Sequence, residues 1–238
     1  MSEELKQKQF NSAMNLYTSR PAYKAFGYLV SFINVSLQIC LVFQISRIEI
    51  SFWGQLIALI ISYLLTDFIN GLVHIYMDNN DNYDSLAGPL IANFHLHHKT
   101  PLYKKNPLIV VYFMETGSKV WLVGYLTSVV FMLYMLPINP IVAHVYVYTG
   151  ILSSVAEVSH YLCHTSSMPL TQVLAKCGLL LSKRHHAHHH LEDNSNYAFL
   201  NGFSDPVLNV IAKRFYPGYK TTTDRHFACY DSGSADSR

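Results

Sequence analysis

The sequence predicts an all-α protein, an integral membrane four-helix bundle with a cytosolic histidine-rich cap and interfacial helices, on three observations. The first is composition: 50% of residues are apolar and only 13% charged, against about 25% charge in an average soluble domain. The second is a set of long uncharged runs. The third is 13 histidines in 238 residues, most of them gathered in short clusters beside the ends of those runs. The mean hydropathy of +0.17 agrees with a lipid environment.

Residues 1–24 are polar and read as a cytosolic segment without the apolar stretch of a removable signal peptide. Between Lys24 and Arg47 lie 22 uncharged residues, which at about 1.5 Å each span the ~30 Å hydrocarbon layer. This is the first crossing, about 25–46. A second covers about 50–73, its helical pattern continuing to Asp78. From Val120 to Ala156 there are 37 uncharged residues, enough for crossings at about 119–136 and 140–163, with Pro137 and Pro140 breaking the helix between them. The short turns make each pair an antiparallel hairpin. The membrane domain thus runs over 25–216, and 217–238 form a polar tail.

Lys and Arg set the orientation. With the N-terminus cytosolic, 16 of the 17 basic residues fall on the cytosolic side, Lys99, Lys104, Lys105, Lys119, Lys183 and Arg184 among them, against Arg47 alone. Both termini and the histidine clusters are then cytosolic, at the endoplasmic reticulum in a eukaryote or the inner membrane in a bacterium. His144 lies 16 residues before His160 on one helix, roughly 24 Å away, and is excluded from any shared site. Leu170, Val173, Leu174, Cys177 and Leu181 form one interfacial stretch, and Val207, Leu208, Ile211 and Phe215 another.

Two helical rows carry chemistry. Asp67, Gly71, His74 and Asp78 share one face, and Glu157, His160 and His164 another. Ionisable residues at such depth face a bundle interior or a partner. His95, His97 and His98 form a third cluster. The fourth runs from His185 to His190, in which His186, His189 and His190 satisfy H-x-x-H-H. Eight or more imidazoles exceed the usual four ligands of zinc and suit two iron ions with dioxygen as co-substrate. The His-rich run alone also reads as a solvated tract, and His95, His185 and His188 read better as supporting groups than as ligands. Glu157 is expected to hydrogen-bond an imidazole. The Asp78 to Asn82 stretch lacks the glycine and glutamate of a calcium loop. The four cysteines contain no C-x-x-C pair, so neither a disulfide framework nor a thiolate zinc site follows. A net charge of +2 gives no basis for a nucleic-acid partner.

Four segments together resemble a known family: Gly71-Leu72-Val73-His74-Ile75-Tyr76-Met77-Asp78, Phe94-His95-Leu96-His97-His98-Lys99-Thr100-Pro101, His160-Tyr161-Leu162-Cys163-His164, and Ser182 through His190 with Asn196-Tyr197 following. They look like the Kua-type lipid desaturases, which include plasmanylethanolamine desaturase, bacterial CarF and the plastid palmitate desaturase. The resemblance covers about Ser62 to Ala212. It implies that His74, His97, His98, His160, His164, His186, His189 and His190 bind a di-iron centre and that Asp78 is the family's acid. Asp78 and Glu157 are the candidate catalytic acids. It further implies a membrane phospholipid substrate, with plasmanylethanolamine the expected one, and an electron donor such as cytochrome b5 or ferredoxin. The chain departs from the animal pattern at Asn194, where a further histidine stands. A di-iron lipid hydroxylase and a histidine-rich metal transporter are the alternatives. The transporter reading requires a polar pathway across the bilayer, yet the crossings carry His144 and few other polar ligands.

Overall fold

The computed structural model describes residues 3–99, 106–115, 119–192 and 195–216, which fold into ten helices with no strand among them. The polar tail 217–238, Asn194 and the basic pair Lys104 and Lys105 lie outside the described residues, as does the side chain of Lys99.

Three helices are long and apolar enough to cross a membrane: α2 (Pro21–Ile45), α3 (Phe52–Asp78) and α7 (Pro140–Thr165). Their starts are encoded locally. Ser51 caps α3 by accepting from Gly54 N at 3.1 Å, Asn139 caps α7 by accepting from Ile141 N at 2.9 Å, and Pro21 and Pro140 open their helices. Large apolar side chains such as Phe32, Phe43, Trp53 and Ile60 point outward and are exposed, as lipid-facing residues are in a membrane protein.

The hairpin expectation needs correcting in one respect. α3 packs chiefly on α7 rather than on its chain neighbour α2. The reason is a row of small and polar residues at every fourth position of α3, Ala58, Ser62, Thr66 and Asn70, all buried. Opposite them α7 offers Thr149, Ser153 and Ala156. Small side chains let two backbones approach closely, and hydrogen bonds cross the seam from Thr66 Oγ1 to the Thr149 carbonyl at 3.4 Å and from Asn70 Nδ2 to Ser153 Oγ at 3.1 Å. Continued upward, the same α3 row reaches His74 and Asp78.

The third crossing expected at 119–136 is a shorter helix, α6 (Val120–Met135), of 16 residues, about 24 Å long and short of the hydrocarbon layer. It is preceded by the apolar α5 (Leu108–Glu115). Both α5 and α6 pack on α2 and α7, so two helices share the ground assigned to one. α7 serves as a ruler for this. Asn106, before α5, exchanges hydrogen bonds with the Tyr161 hydroxyl. Tyr112 of α5 then donates to Gln38 Oε1, whose amide donates to Ser154 Oγ at 2.8 Å. Leu126 of α6 abuts Gly150, lower again. Lys119, expected among the solvated basic residues, is therefore buried at the head of α6, with its carbonyl accepting from Asn34 Nδ2 of α2 at 3.2 Å.

The N-terminal segment is a helix, α1 (Glu3–Ser19), packed on α4 (Gly88–Lys99) through Phe10, Ala13 and Met14 against Tyr83, Ile91 and Ala92. Of the two expected interfacial stretches, the first forms α8 (Pro169–Lys176) with Leu170 and Val173 outward, but it ends before Leu181. Leu181 is buried, its N–H on Ser159 Oγ at 2.9 Å, because Gly178 turns the chain at a φ of 71°. The second is α10 (Asp205–Phe215), whose Leu208 sits so close to Gly71 that a Cβ there would lie 2.2 Å from it. Between α8 and α10 lies α9 (Lys183–Leu191), capped by Ser182 Oγ accepting from His185 N at 3.1 Å.

One carboxylate pins the connection into α10. Asp67 of α3, wholly buried, accepts from Leu200 N, Asn201 N and Gly202 N on one oxygen, at 3.0, 2.9 and 3.3 Å, and from Ser204 N and Oγ on the other, at 2.9 and 2.7 Å. Substituting Asp67→Ala strands four backbone donors at about 1–3 kcal/mol each where they stay dry. The variant is expected to lose at least about 3 kcal/mol of stability and to become cleavable at 200–204 in limited proteolysis; a wild-type melting curve and cleavage pattern would contradict the clamp.

Candidate metal centre

Four helices converge at one end of the α3–α7 pair. α3 brings His74 and Asp78, α4 brings His97 and His98, α7 brings His160 and His164, and α9 brings His186, His189 and His190. Their donor atoms fall into two main groups. His74, Asp78, His98 and His189 form one, and His97, His160, His164 and His186 the other, the ligand atoms of each lying within 4.8 Å of one another. His97, His98 and His190 make a third grouping where the two adjoin. All eight histidines singled out from the sequence, with Asp78, are thus brought together.

Asp78 organises the first group. Its Oδ2 lies 3.2 Å from His74 Nε2 and 3.1 Å from His189 Nε2, and its Oδ1 lies 3.1 Å from His98 Nε2, with all of these side chains buried. In the second group imidazole faces imidazole. His160 Nε2 stands 3.0 Å from His186 Nε2 and 3.2 Å from His164 Nε2, and His190 Nε2 stands 3.0 Å from His186 Nε2.

The outer ring nitrogens explain which way the lone pairs point. His74 Nδ1 donates to the Tyr197 carbonyl at 2.8 Å, His189 Nδ1 to the Ser195 carbonyl at 3.0 Å, and His97 Nδ1 to the Phe94 carbonyl. A carbonyl only accepts, so each of these imidazoles carries its proton outward and turns a bare Nε2 inward. The first two carbonyls flank Asn196, which adopts a left-handed φ of 58°. Its side chain donates to the His185 carbonyl at 3.0 Å and its N–H to Asn209 Oδ1 at 2.8 Å. One strained turn therefore sets two imidazoles.

This donor set fits metal ions. His97 Nε2 is buried with no hydrogen-bond partner, an arrangement that costs free energy unless something fills it. Nitrogen-to-nitrogen edges of 3.0–3.2 Å are close to the ~3 Å separating right-angle ligands on ~2.1 Å bonds. Burial, reinforced by His98 and His190, holds the His97 imidazole well below its ordinary pKa. Burial, with His160 and His190 adding to it, does the same to His186. Both are therefore neutral and ready to ligate.

The remaining histidines support the cage. His95 is occupied at both nitrogens, Nδ1 by the Tyr83 hydroxyl at 2.8 Å and Nε2 by the Met77 carbonyl at 2.8 Å, tying α4 to the end of α3. His185 pairs with Asp205 of α10, which raises its pKa. His188 is exposed beside Glu192. His144 lies at the far end of α7, its Nε2 3.5 Å from Gln55 Nε2. Glu157, expected on an imidazole, is paired with Lys119 Nζ at 2.9 Å. Asn196 and Tyr197 stood out in the sequence only as part of the family resemblance, with nothing local to show that the carbonyls flanking Asn196 would orient His74 and His189.

A cavity of about 550 Å³ opens against His74, His97, His160 and His164, walled mainly by apolar side chains such as Leu72, Leu90 and Phe94. An apolar helical bundle closed at one end by buried imidazoles and a carboxylate suits a membrane protein, and its histidine groups are compatible with a metal site. Residues 63–217, about two thirds of the chain, match the family model described as lipid desaturase domain, and the chain belongs to that family. No curated protein and no solved structure matches it.

Depressed pKa values at His97 and His186 fix the sign of a pH effect. The unfolded chain binds protons there below about pH 6.5 and the folded chain does not. The stability that these two neutral imidazoles contribute to the metal-free protein should therefore be fully present above pH 6.5 and be lost progressively as pH falls below that value. His185, whose pKa is raised, contributes in the opposite sense. Thermal unfolding in detergent from pH 8 to pH 5 reads this; a melting temperature that rises on acidification would contradict the buried neutral imidazoles.

Proposed function

We propose that the protein is a dioxygen-dependent di-iron desaturase of membrane phospholipids, with plasmanylethanolamine as substrate. The observation that carries the reading is the pair of adjoining donor groups beside an apolar cavity, in a chain of the lipid desaturase family. His74, His98, His189 and Asp78 would hold one ion, and His97, His160, His164 and His186 the other, with His190 beside the second group. Iron bound there would supply the dioxygen chemistry that an unactivated C–H bond demands and that no side chain provides.

The rest falls to the protein. The carbonyls of Tyr197, Ser195 and Phe94 keep imidazole protons pointed outward. The mainly apolar cavity has room for an alkyl chain, and Phe199, stacked on His160 with ring centroids 4.1 Å apart, forms part of its wall. Converting CH2–CH2 to CH=CH with reduction of one dioxygen to two waters consumes two electrons and two protons. The electrons come from an external donor such as cytochrome b5 or ferredoxin, since the sequence carries neither a redox cysteine pair nor a nucleotide-binding glycine motif. Four crossings, the third divided between α5 and α6, would place the histidine end and both termini in the cytosol.

Lipid profiles of cells with and without the chain test the reading. A product two hydrogens lighter than its precursor is expected, and His186→Ala or His189→Ala should abolish it while leaving the protein in the membrane. A product heavier by one oxygen would establish the hydroxylase instead, and identical lipid profiles would exclude both.

A further inference from the structure

Beside the imidazoles, the cavity wall carries a polar spot that ligation does not explain. Asn70, Lys119 and Glu157 line the same cavity, from α3, the head of α6 and α7, and are 2%, 4% and 8% exposed. Asn70 sits one turn before His74 and Glu157 one turn before His160. The Lys119 ammonium donates to Asn70 Oδ1 and to Glu157 Oε1. Phe199 stands between this ammonium and the cage, with Nζ 5.5 Å from a ring that also meets His160 and His74.

A buried ion pair is a poor way to fasten helices. Its desolvation cost commonly cancels its attraction, and apolar residues of similar volume do as well or better. A lysine at the wall of an alkyl-sized cavity, where leucine would bury more cheaply, therefore asks for a ligand. Two donors are available to one. An ammonium has three N–H groups, and Asn70 and Glu157 account for two. Trp121, two residues on, also lines the cavity with its ring centroid 5.7 Å from the ammonium, and its indole Nε1 is buried with no hydrogen-bond partner. An indole nitrogen only donates. The spot thus offers donors for an acceptor oxygen, while the adjacent wall offers apolar surface.

We propose that Lys119 and Trp121 form a docking site for the acceptor oxygen at the head of a lipid alkyl chain, an ester carbonyl or an ether oxygen, with Asn70 and Glu157 holding the ammonium in place. A chain held by that oxygen in a cavity bounded by His74 and His160 presents a fixed stretch of its carbons to the metal centre. The site acts as a stop that selects the bond position. The inference rests on the desaturase reading only in taking the ligand to be a lipid chain.

The test uses metal-free full-length protein, so turnover plays no part. In a Trp53→Phe background Trp121 is the single tryptophan, since the chain has two, and Trp53 is exposed at the opposite end of α3. Its emission is titrated in detergent with decyl acetate, decyl methyl ether and undecane, each at matched mole fraction in the micelle. One or both oxygenated ligands should bind about tenfold more tightly than the alkane, the effect of one hydrogen bond to a charged donor, and the preferred one identifies the linkage. Lys119→Met/Glu157→Met, which removes both charges together, should reduce that preference to less than twofold and leave alkane binding unchanged. Equal binding of all three ligands by the otherwise unaltered protein would overturn the proposal and make the ion pair a structural strut, whether or not the double variant folds. Retained preference in a folded double variant would overturn it as well. An enzyme that shows the preference yet alters no lipid would remove the desaturase reading and leave the docking site standing.

Discussion

Nitrogen lone pairs crowded together away from water are the constraint around which this protein is built. Imidazole nitrogens stand about 3 Å apart, too crowded for all of them to carry protons, and charging the rings in a buried space adds repulsion to desolvation. The arrangement becomes favourable when cations sit among the nitrogens. Asp78 then has a plain electrostatic part: among the described residues it is the one carboxylate in the histidine groups, touching three imidazoles, and it offsets part of the charge that two divalent ions would bring. A cage that is costly when empty must be held by the rest of the fold, since nothing within it favours assembly before metal arrives.

The holding devices lie outside the cage. The α3–α7 seam, lined by Ser62, Thr66, Asn70 and Ser153, brings His74 and His160 to the same level. Asp67 fastens the strand of chain that follows α9, and that chain returns the Ser195 and Tyr197 carbonyls to the outer nitrogens of His189 and His74. His95 locks α4 onto α3, and α1 covers α4 from outside. Each device acts on an element that carries ligands, and each uses hydrogen bonds or small residues rather than bulk. That choice is physical. Between helices that already sit in an apolar medium, burying more leucine gains little, whereas close backbone approach and satisfied polar groups give a defined geometry.

Much of this was legible in the sequence. Histidines at helical spacing beside long apolar runs announced both the cluster and its depth, because spacing within one helix is a local property. What escaped depended on distant partners. Asp67 looked like one member of a polar face, but its five donors come from more than 130 residues away. Lys119 looked like an ordinary basic flank, since charge counting cannot register Glu157 across a bundle. The α3 row of Ala58, Ser62, Thr66 and Asn70 was masked by the more visible Asp67 and Gly71 row one step round the helix. The α1 pattern of Phe10, Ala13 and Met14 was readable in principle, and the lysines around it concealed it. The short apolar run of α5, from Leu108, was also overlooked, because Glu115 and Lys119 set it apart from the longer uncharged stretch that follows.

Occupation of the cage by two ions is tested most directly by elemental analysis of the purified protein. Protein prepared without chelator and quantified by amino-acid content should carry two irons per chain by inductively coupled plasma mass spectrometry, falling to one or none on replacement of Asp78 by alanine. A single zinc per chain, or a metal content that the Asp78 replacement leaves unchanged, would contradict it.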